Sequence, residues 1–114
     1  VLNDNDPLKG KLELVVEGDS TPGTGIINPD NICVTENYVY IQEDGDSFYA
    51  AAQHDSYIWQ YNIRTKSNRP WLTMNHKRTD AAWNATYNQS GEMRFGSWEY
   101  GAMEDISDVI GVPN

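Results

Sequence analysis

Apolar and polar residues alternate in several short runs of the chain, which is the pattern of half-buried β-strands. The first such run is KLELVVE (residues 11–17), where both leucines and Val16 fall on one side and both glutamates on the other. A second is YIWQYNI (residues 57–63), which places its aromatic residues on one face and Gln60 and Asn62 on the opposite face. RPWLTMNHK (residues 69–77) and GEMRFGSWE (residues 91–99) predict two further strands.

A tight hairpin is predicted between NICVT (residues 31–35) and YVYIQ (residues 38–42). Only Glu36 and Asn37 separate these two runs, and asparagine tolerates the positive φ that two-residue hairpin turns need. A long connection rich in glycine and proline precedes this pair, and a polar, irregular segment (residues 43–56) follows it. The pattern therefore indicates neighbouring antiparallel strands.

The strand candidates together predict an all-β fold of five or six antiparallel strands over one region, residues 1–114. Four of them follow one another between Asp30 and Lys77, which is the size of one four-stranded propeller blade. Helical spacing is confined to the tail, MEDISDVIG. It predicts one or two helical turns that end at Gly111 and Pro113.

Composition and net charge argue against several classes of function. The chain has 114 residues, of which 39% are hydrophobic and 11% aromatic, so we expect it to fold. Eight basic residues against 17 acidic ones give a net charge of −9, which argues against nucleic acid and anionic membranes as partners. No apolar run is long enough to span a membrane. Cys33 reads as a strand thiol, while His54 and His76 read as surface residues rather than metal ligands.

Three motifs, in this order and spacing, are similar to the PhoX-like phosphatase family. They are PDNICVTENYVYIQEDGD, IWQYNIRT and GSWEYGAMEDISDVIG, and the resemblance extends roughly over residues 9–112. It implies a near-C-terminal part of a bacterial β-propeller that is secreted, periplasmic or at the cell surface. It also implies an incomplete propeller, with a complete blade at about residues 30–77. The remainder of the propeller, or a partner chain, would then cover the open blade.

The resemblance implies a phosphomonoesterase that uses calcium and iron and acts on a phosphate ester. It assigns a metal-ligand role to Asp30 and a catalytic position near the substrate to Asn31. The oxygen atoms of these two side chains suit such a role, because calcium takes six to eight oxygen ligands and this pair can supply two. The alternative for the same two residues is a turn acid and its cap before a strand.

The other acids of the hairpin have separate expectations. The hairpin returns the end of its second strand to the start of the first, so Asp44 is a candidate calcium ligand or a hydrogen-bonding support for one. Glu43 and Asp46 read as parts of a solvated turn, since the ordered spacing of an EF-hand loop is missing. The prominent aromatic residues either fill the space between sheets or form a carbohydrate-stacking face; they are Trp59, Tyr61, Trp71, Trp83 and Trp98.

Two functions remain open from the sequence. The first is a part of a metal-dependent phosphoester hydrolase, inactive by itself because most metal ligands would lie on other sequence. The alternative is a non-catalytic propeller module that binds a protein or a glycan at the cell surface.

Overall fold

A four-stranded antiparallel sheet is the centre of the computed structural model, which describes residues 2–3, 6–18, 25–44, 54–87, 95–96 and 98–112. The strands of this sheet are β3 (Pro29–Val34), β4 (Tyr38–Glu43), β5 (Tyr57–Asn62) and β6 (Ser67–Thr73). Each pairs with the next in chain order, so β3 and β6 form the two edges. The predicted four-stranded antiparallel sheet is thus confirmed.

A smaller sheet pairs β1 (Leu2–Asn3) with β2 (Asp6–Gly10) in antiparallel fashion. Two short helices complete the described elements, α1 (Ala81–Tyr87) and α2 (Ser107–Ile110). No helix in the described ranges is long and apolar enough to cross a membrane. The architecture is therefore mostly β, as the alternating patterns predict.

The two hairpin turns of the large sheet are fixed by side-chain caps. At the first, the Thr35 amide donates to the Tyr38 carbonyl at 2.9 Å, and the Thr35 hydroxyl accepts the Tyr38 amide at 3.2 Å. This confirms the predicted turn, although Asn37 does not adopt a positive φ. At the second, the Asn62 side chain accepts two turn amides, and Lys66 closes the turn with φ 60°.

Strand β5, an inner strand between β4 and β6, is buried on both faces and carries most of the core. Its residues Ile58, Trp59 and Tyr61 are buried. Gln60, on the face expected to be polar, is buried as well. Its amide oxygen accepts the Arg69 guanidinium at 2.8 Å, so the polar group is satisfied inside the protein.

Residues 11–18 do not form a strand, contrary to the prediction from KLELVVE. Leu12 is completely exposed and Leu14 is 75% exposed. Alternation shows which face of a segment can be buried, but a strand also needs a neighbour for its backbone groups. Strand β2 lies immediately before this segment instead. In residues 91–99, the portion that the structure describes contains no strand either.

Helix α1 was not predicted, although the sequence contains its start signal. The Asp80 carboxylate accepts the Trp83 amide at 2.9 Å, which is the hydrogen bond of a helix N-cap. Two alanines, which favour helix, follow the cap. Two turns are too short to show a helical period, so hydrophobic spacing alone does not predict this helix.

The tail behaves as predicted. Helix α2 ends at Gly111, which has the left-handed φ of 67° and returns its amide to the Ser107 carbonyl. The segment before α2 lies against the large sheet, where the Gln42 side chain donates to the Gly101 carbonyl. The described tail thus covers part of one sheet face.

Candidate functional site at the acidic end of the sheet

Four chain segments converge at one end of the large sheet, here called the acidic end (residues 26–31, 43–44, 54–57 and 73–78). Pairing of Pro29 with Glu43 joins the start of β3 to the end of β4. Pairing of Tyr57 with Thr73 joins the start of β5 to the end of β6. Three acids of the hairpin lie at this end, namely Asp30, Glu43 and Asp44. Asp46 lies outside the described residues.

Asp30 and Asn31 form a pair on edge strand β3. The pairing of β3 with β4 is irregular between Pro29 and Asn31, so Asp30 is the unpaired extra residue. Asp30 is exposed, and the Asn31 side-chain amide donates to its carboxylate at 2.7 Å. The bulge thus holds a carboxylate oriented by an amide on the protein surface.

Asp44 returns to the start of β3, as the hairpin predicts. Its amide donates a hydrogen bond to the Asn28 carbonyl at 2.9 Å, and Asp44 itself is half-buried. The residues that the structure describes contain no group of three or more His, Cys, Asp or Glu side chains arranged to hold a metal ion. Asp30 and Asp44 can therefore supply only part of a calcium shell.

Glu43 is fully buried, which corrects its assignment to a solvated turn. One carboxylate oxygen accepts the Ile27 amide at 2.8 Å and the Trp59 indole N–H at 2.7 Å. The other accepts the Tyr57 amide at 2.8 Å. Three donors therefore replace water around this charge and tie the segment before β3 to β5.

The sequence did contain a signal for the burial of Glu43. In β4, Glu43 continues the alternation of Val39 and Ile41, so period two places it on their face. The acids and the glycine that follow Glu43 are typical of a turn and obscure this alternation in the sequence.

Asp55 is a second buried acid, and it forms an ion pair with Arg78. One guanidinium nitrogen donates to the carboxylate at 2.5 Å and the other donates to its second oxygen. The Gly96 amide also donates to it at 3.3 Å, while the guanidinium lies 4.2 Å from the centre of the Phe95 ring. This bidentate pair fixes the loop after β6 to the start of β5.

His76 is 1% exposed, so its expected surface position is wrong. Its ring lies 4.4 Å from the Trp98 ring, measured between centroids. Neither ring nitrogen has a hydrogen-bond partner among the described residues. His54, by contrast, is half-buried and stacks on Tyr57 with ring centroids 4.1 Å apart.

The buried acids affect the pKa values of two tyrosines. Burial raises the pKa of Tyr57, and the nearby Glu43 and Asp55 carboxylates raise it further. Burial also raises the pKa of Tyr100, with Asp55 and then Glu43 as the additional causes. Both phenols therefore stay protonated as hydrogen-bond donors well above neutral pH.

The aromatic residues named from the sequence differ in burial. Trp59 and Tyr61 are buried core residues. Trp71 is 43% exposed on β6, whereas Trp83 packs on Tyr87 at 4.4 Å between ring centroids. Cys33 is half-buried in β3, which agrees with the expected strand thiol.

Comparison with family models, with curated proteins and with solved structures found no match for this chain.

Proposed function

We propose that the chain supplies one blade of a PhoX-like β-propeller and that Asp30 and Asn31 contribute to its metal-dependent phosphoester hydrolase centre. The observation that carries this proposal is the different state of the acids at the acidic end. The Glu43 carboxylate accepts hydrogen bonds from three internal donors, and the Asp55 carboxylate forms an ion pair with Arg78. Asp30 is exposed and oriented by the neighbouring amide, so its carboxylate is available to a cation.

The shape of the sheet supports the blade. Four strands paired in chain order are the unit that propellers repeat. On edge strand β3, Ile32 is 64% exposed and Val34 is 61% exposed, and both lie on the face of the buried Trp59. Apolar residues of this kind need a covering neighbour. The remainder of the propeller, or a partner chain, would supply it in a secreted, periplasmic or cell-surface protein.

The metal would be calcium, with iron as the second metal that the resemblance implies. Asp30 would hold calcium through carboxylate oxygens, and Asp44, which follows β4 directly, would ligate or support it. The metal, when bound, would polarise the phosphoryl oxygens of the substrate. Asn31 would keep the Asp30 carboxylate oriented and donate its amide toward a phosphate ester. The remaining ligands would come from beyond the described residues.

The test is Asp30→Asn in the intact protein, because this change removes the charge and keeps the shape. Metal content by elemental analysis and hydrolysis of a chromogenic phosphomonoester should both fall, by about tenfold or more. Glu36→Gln is the matched control, since Glu36 is an exposed acid in the hairpin turn at the other end of β3. Equal metal content and turnover in the two variants would contradict the proposal.

A second function, a non-catalytic module that binds a glycan or a protein at the cell surface, is favoured by the exposed aromatic residues. Trp71 on edge strand β6 is 43% exposed and Tyr87 on α1 is 62% exposed. Glycans commonly stack on such rings. Glycan binding that is lost in Trp71→Ala, in an intact protein without hydrolase activity, would favour this function over the first.

A further inference from the structure

A polar cavity of about 250 Å³ lies at the end of the large sheet opposite the acidic end. This end is here called the turn end, because it carries both hairpin turns (residues 34–38 and 62–67). The residues that line the cavity are Tyr38, Gln60, Asn62, Ser67 and Arg69. Directly paired residues of an antiparallel sheet share a face, and the register places these five in two adjacent rows on one face. Three strands therefore build the cavity together.

The Arg69 guanidinium is the charged group of this cavity, and a neutral side chain holds it in place. Its Nε and one terminal nitrogen donate to the Gln60 side-chain oxygen at 3.1 and 2.8 Å. Gln60 is buried, and its NH₂ group donates to the Tyr40 hydroxyl at 3.1 Å, so the amide is itself fixed. Arg69 forms no ion pair among the described residues. The guanidinium is thus oriented by its neighbours without being neutralised.

The edge of the guanidinium that points away from Gln60 is accessible to a ligand. A guanidinium has five N–H donors in one plane, and the Gln60 oxygen accepts two of them, which leaves the donors of the two terminal nitrogens. Arg69 is exposed whereas Gln60 is buried, so the remaining donors lie on the open side. Two parallel N–H groups of this kind match the two oxygens of a carboxylate or phosphate group.

The other lining groups and the surrounding charge also suit an anion. The Asn62 oxygen accepts two turn amides, so its NH₂ group is the part left for a ligand, and the exposed Ser67 adds a hydroxyl. Among the described residues, no acid lines the cavity. The turns beside it contain Arg64 and Lys66 and a single acid, Glu36. This end is therefore locally basic in a chain whose overall charge is −9.

We propose that the cavity at the turn end binds a small oxyanion, a carboxylate or phosphate group, through the outer edge of the Arg69 guanidinium. The Ser67 hydroxyl and the Asn62 NH₂ group would donate further hydrogen bonds. Drug-sized ligands occupy sites of about 300–1,000 Å³, so the smaller volume here fits an ion or the end group of a larger molecule. The site does not depend on the hydrolase proposal, because five residues of β4, about 17 Å, separate it from the acidic end.

The Arg69 Nε–H group, held by Gln60, provides a direct test by NMR. Its resonance and that of the Ser67 amide would be followed in isotopically labelled protein while inorganic phosphate, or acetate, is added. Chloride would be exchanged for the anion at constant pH and ionic strength, so that screening does not change. Both resonances should shift saturably, and the anion that saturates at lower concentration identifies the preferred group. Absence of a saturable shift with either anion would overturn the proposal.

Two arginines provide the matched variants. Arg69 and Arg64 are both exposed at the turn end, but only Arg69 lines the cavity. With the Ser67 amide as the reporter, Arg69→Gln should weaken binding about tenfold or more, and Arg64→Gln less than about twofold. Equal weakening by the two variants would indicate long-range attraction alone and refute the site. Arg69→Lys keeps the charge but not the planar edge, so it should also weaken binding. Unchanged affinity in Arg69→Lys would overturn the role of the guanidinium.

Discussion

Replacing Glu43 by glutamine should destabilise the sheet strongly, although the side chains have the same shape. The glutamine oxygen can still accept two of the three donors, but its NH₂ group then faces the third N–H. One charge-assisted hydrogen bond, worth about 1.5–3 kcal/mol, is lost, and a buried donor is left unpaired. With Glu43 fully buried, we expect a loss of about 3 kcal/mol in the free energy of unfolding. Glu43→Ala unpairs all three donors and should cost about 5 kcal/mol.

Urea unfolding followed by tryptophan fluorescence measures this loss. For a slope of about 1.5 kcal/mol per molar urea, Glu43→Gln should lower the midpoint by about 2 M. Glu36→Gln, the same change at an exposed turn position, should leave the midpoint nearly unchanged. Hydrogen exchange adds a local measurement, because the Ile27 and Tyr57 amides should exchange faster in the Glu43 variant. Equal midpoints for the two variants would refute the inferred role of the buried carboxylate.

Three further outcomes are expected. Asp55→Asn leaves the largely buried Arg78 guanidinium without its carboxylate and should cost about 3 kcal/mol in urea unfolding; an unchanged midpoint would show that the pair contributes nothing. Tyr57 and Tyr100 have raised pKa values, so the phenolate absorbance that is lost in Tyr57→Phe and in Tyr100→Phe should develop above about pH 10. Stability from this shift is complete below about pH 10 and is lost as the pH rises through the raised pKa values, whereas a midpoint at or below about pH 10 for the absorbance lost in these two variants would contradict the raised pKa values. Lys66→Gly should stabilise the β5–β6 turn by about 0.5 kcal/mol, because glycine adopts positive φ without strain; thermal unfolding beside Lys66→Ala, which should not stabilise, tests this.

The parts of the fold that local sequence determines were predictable. The β3–β4 turn and the stop at Gly111 depend on a few adjacent residues, and both are confirmed. Residues 11–17 show that a local pattern alone does not make a strand. Their alternation is as regular as that of β5, but a strand forms only where another strand accepts its hydrogen bonds, and alternation contains no information about that neighbour.

The acidic end shows the same division between local and distant contacts. The return of Asp44 to the start of β3 follows from one hairpin and was predictable. The burial of Asp55 depends on Arg78, 23 residues later, and on Gly96, 41 residues later. Likewise, His76 is buried against Trp98, which no local pattern connects to it. Isolated polar residues therefore read as surface residues when the elements that cover them lie far away in the sequence.

The buried Glu43 carboxylate also selects the correct alignment of the strands. A slip of β4 by one residue would move every side chain to the opposite face and separate the carboxylate from the Trp59 indole and the two amides. A slipped sheet would then bury an uncompensated charge or leave it in water with its donors unpaired. Apolar residues discriminate weakly between such alignments, since both faces of β4 carry them. A single ionised group with three fixed donors makes misaligned sheets unfavourable, so Glu43 contributes to the specificity of folding as well as to stability.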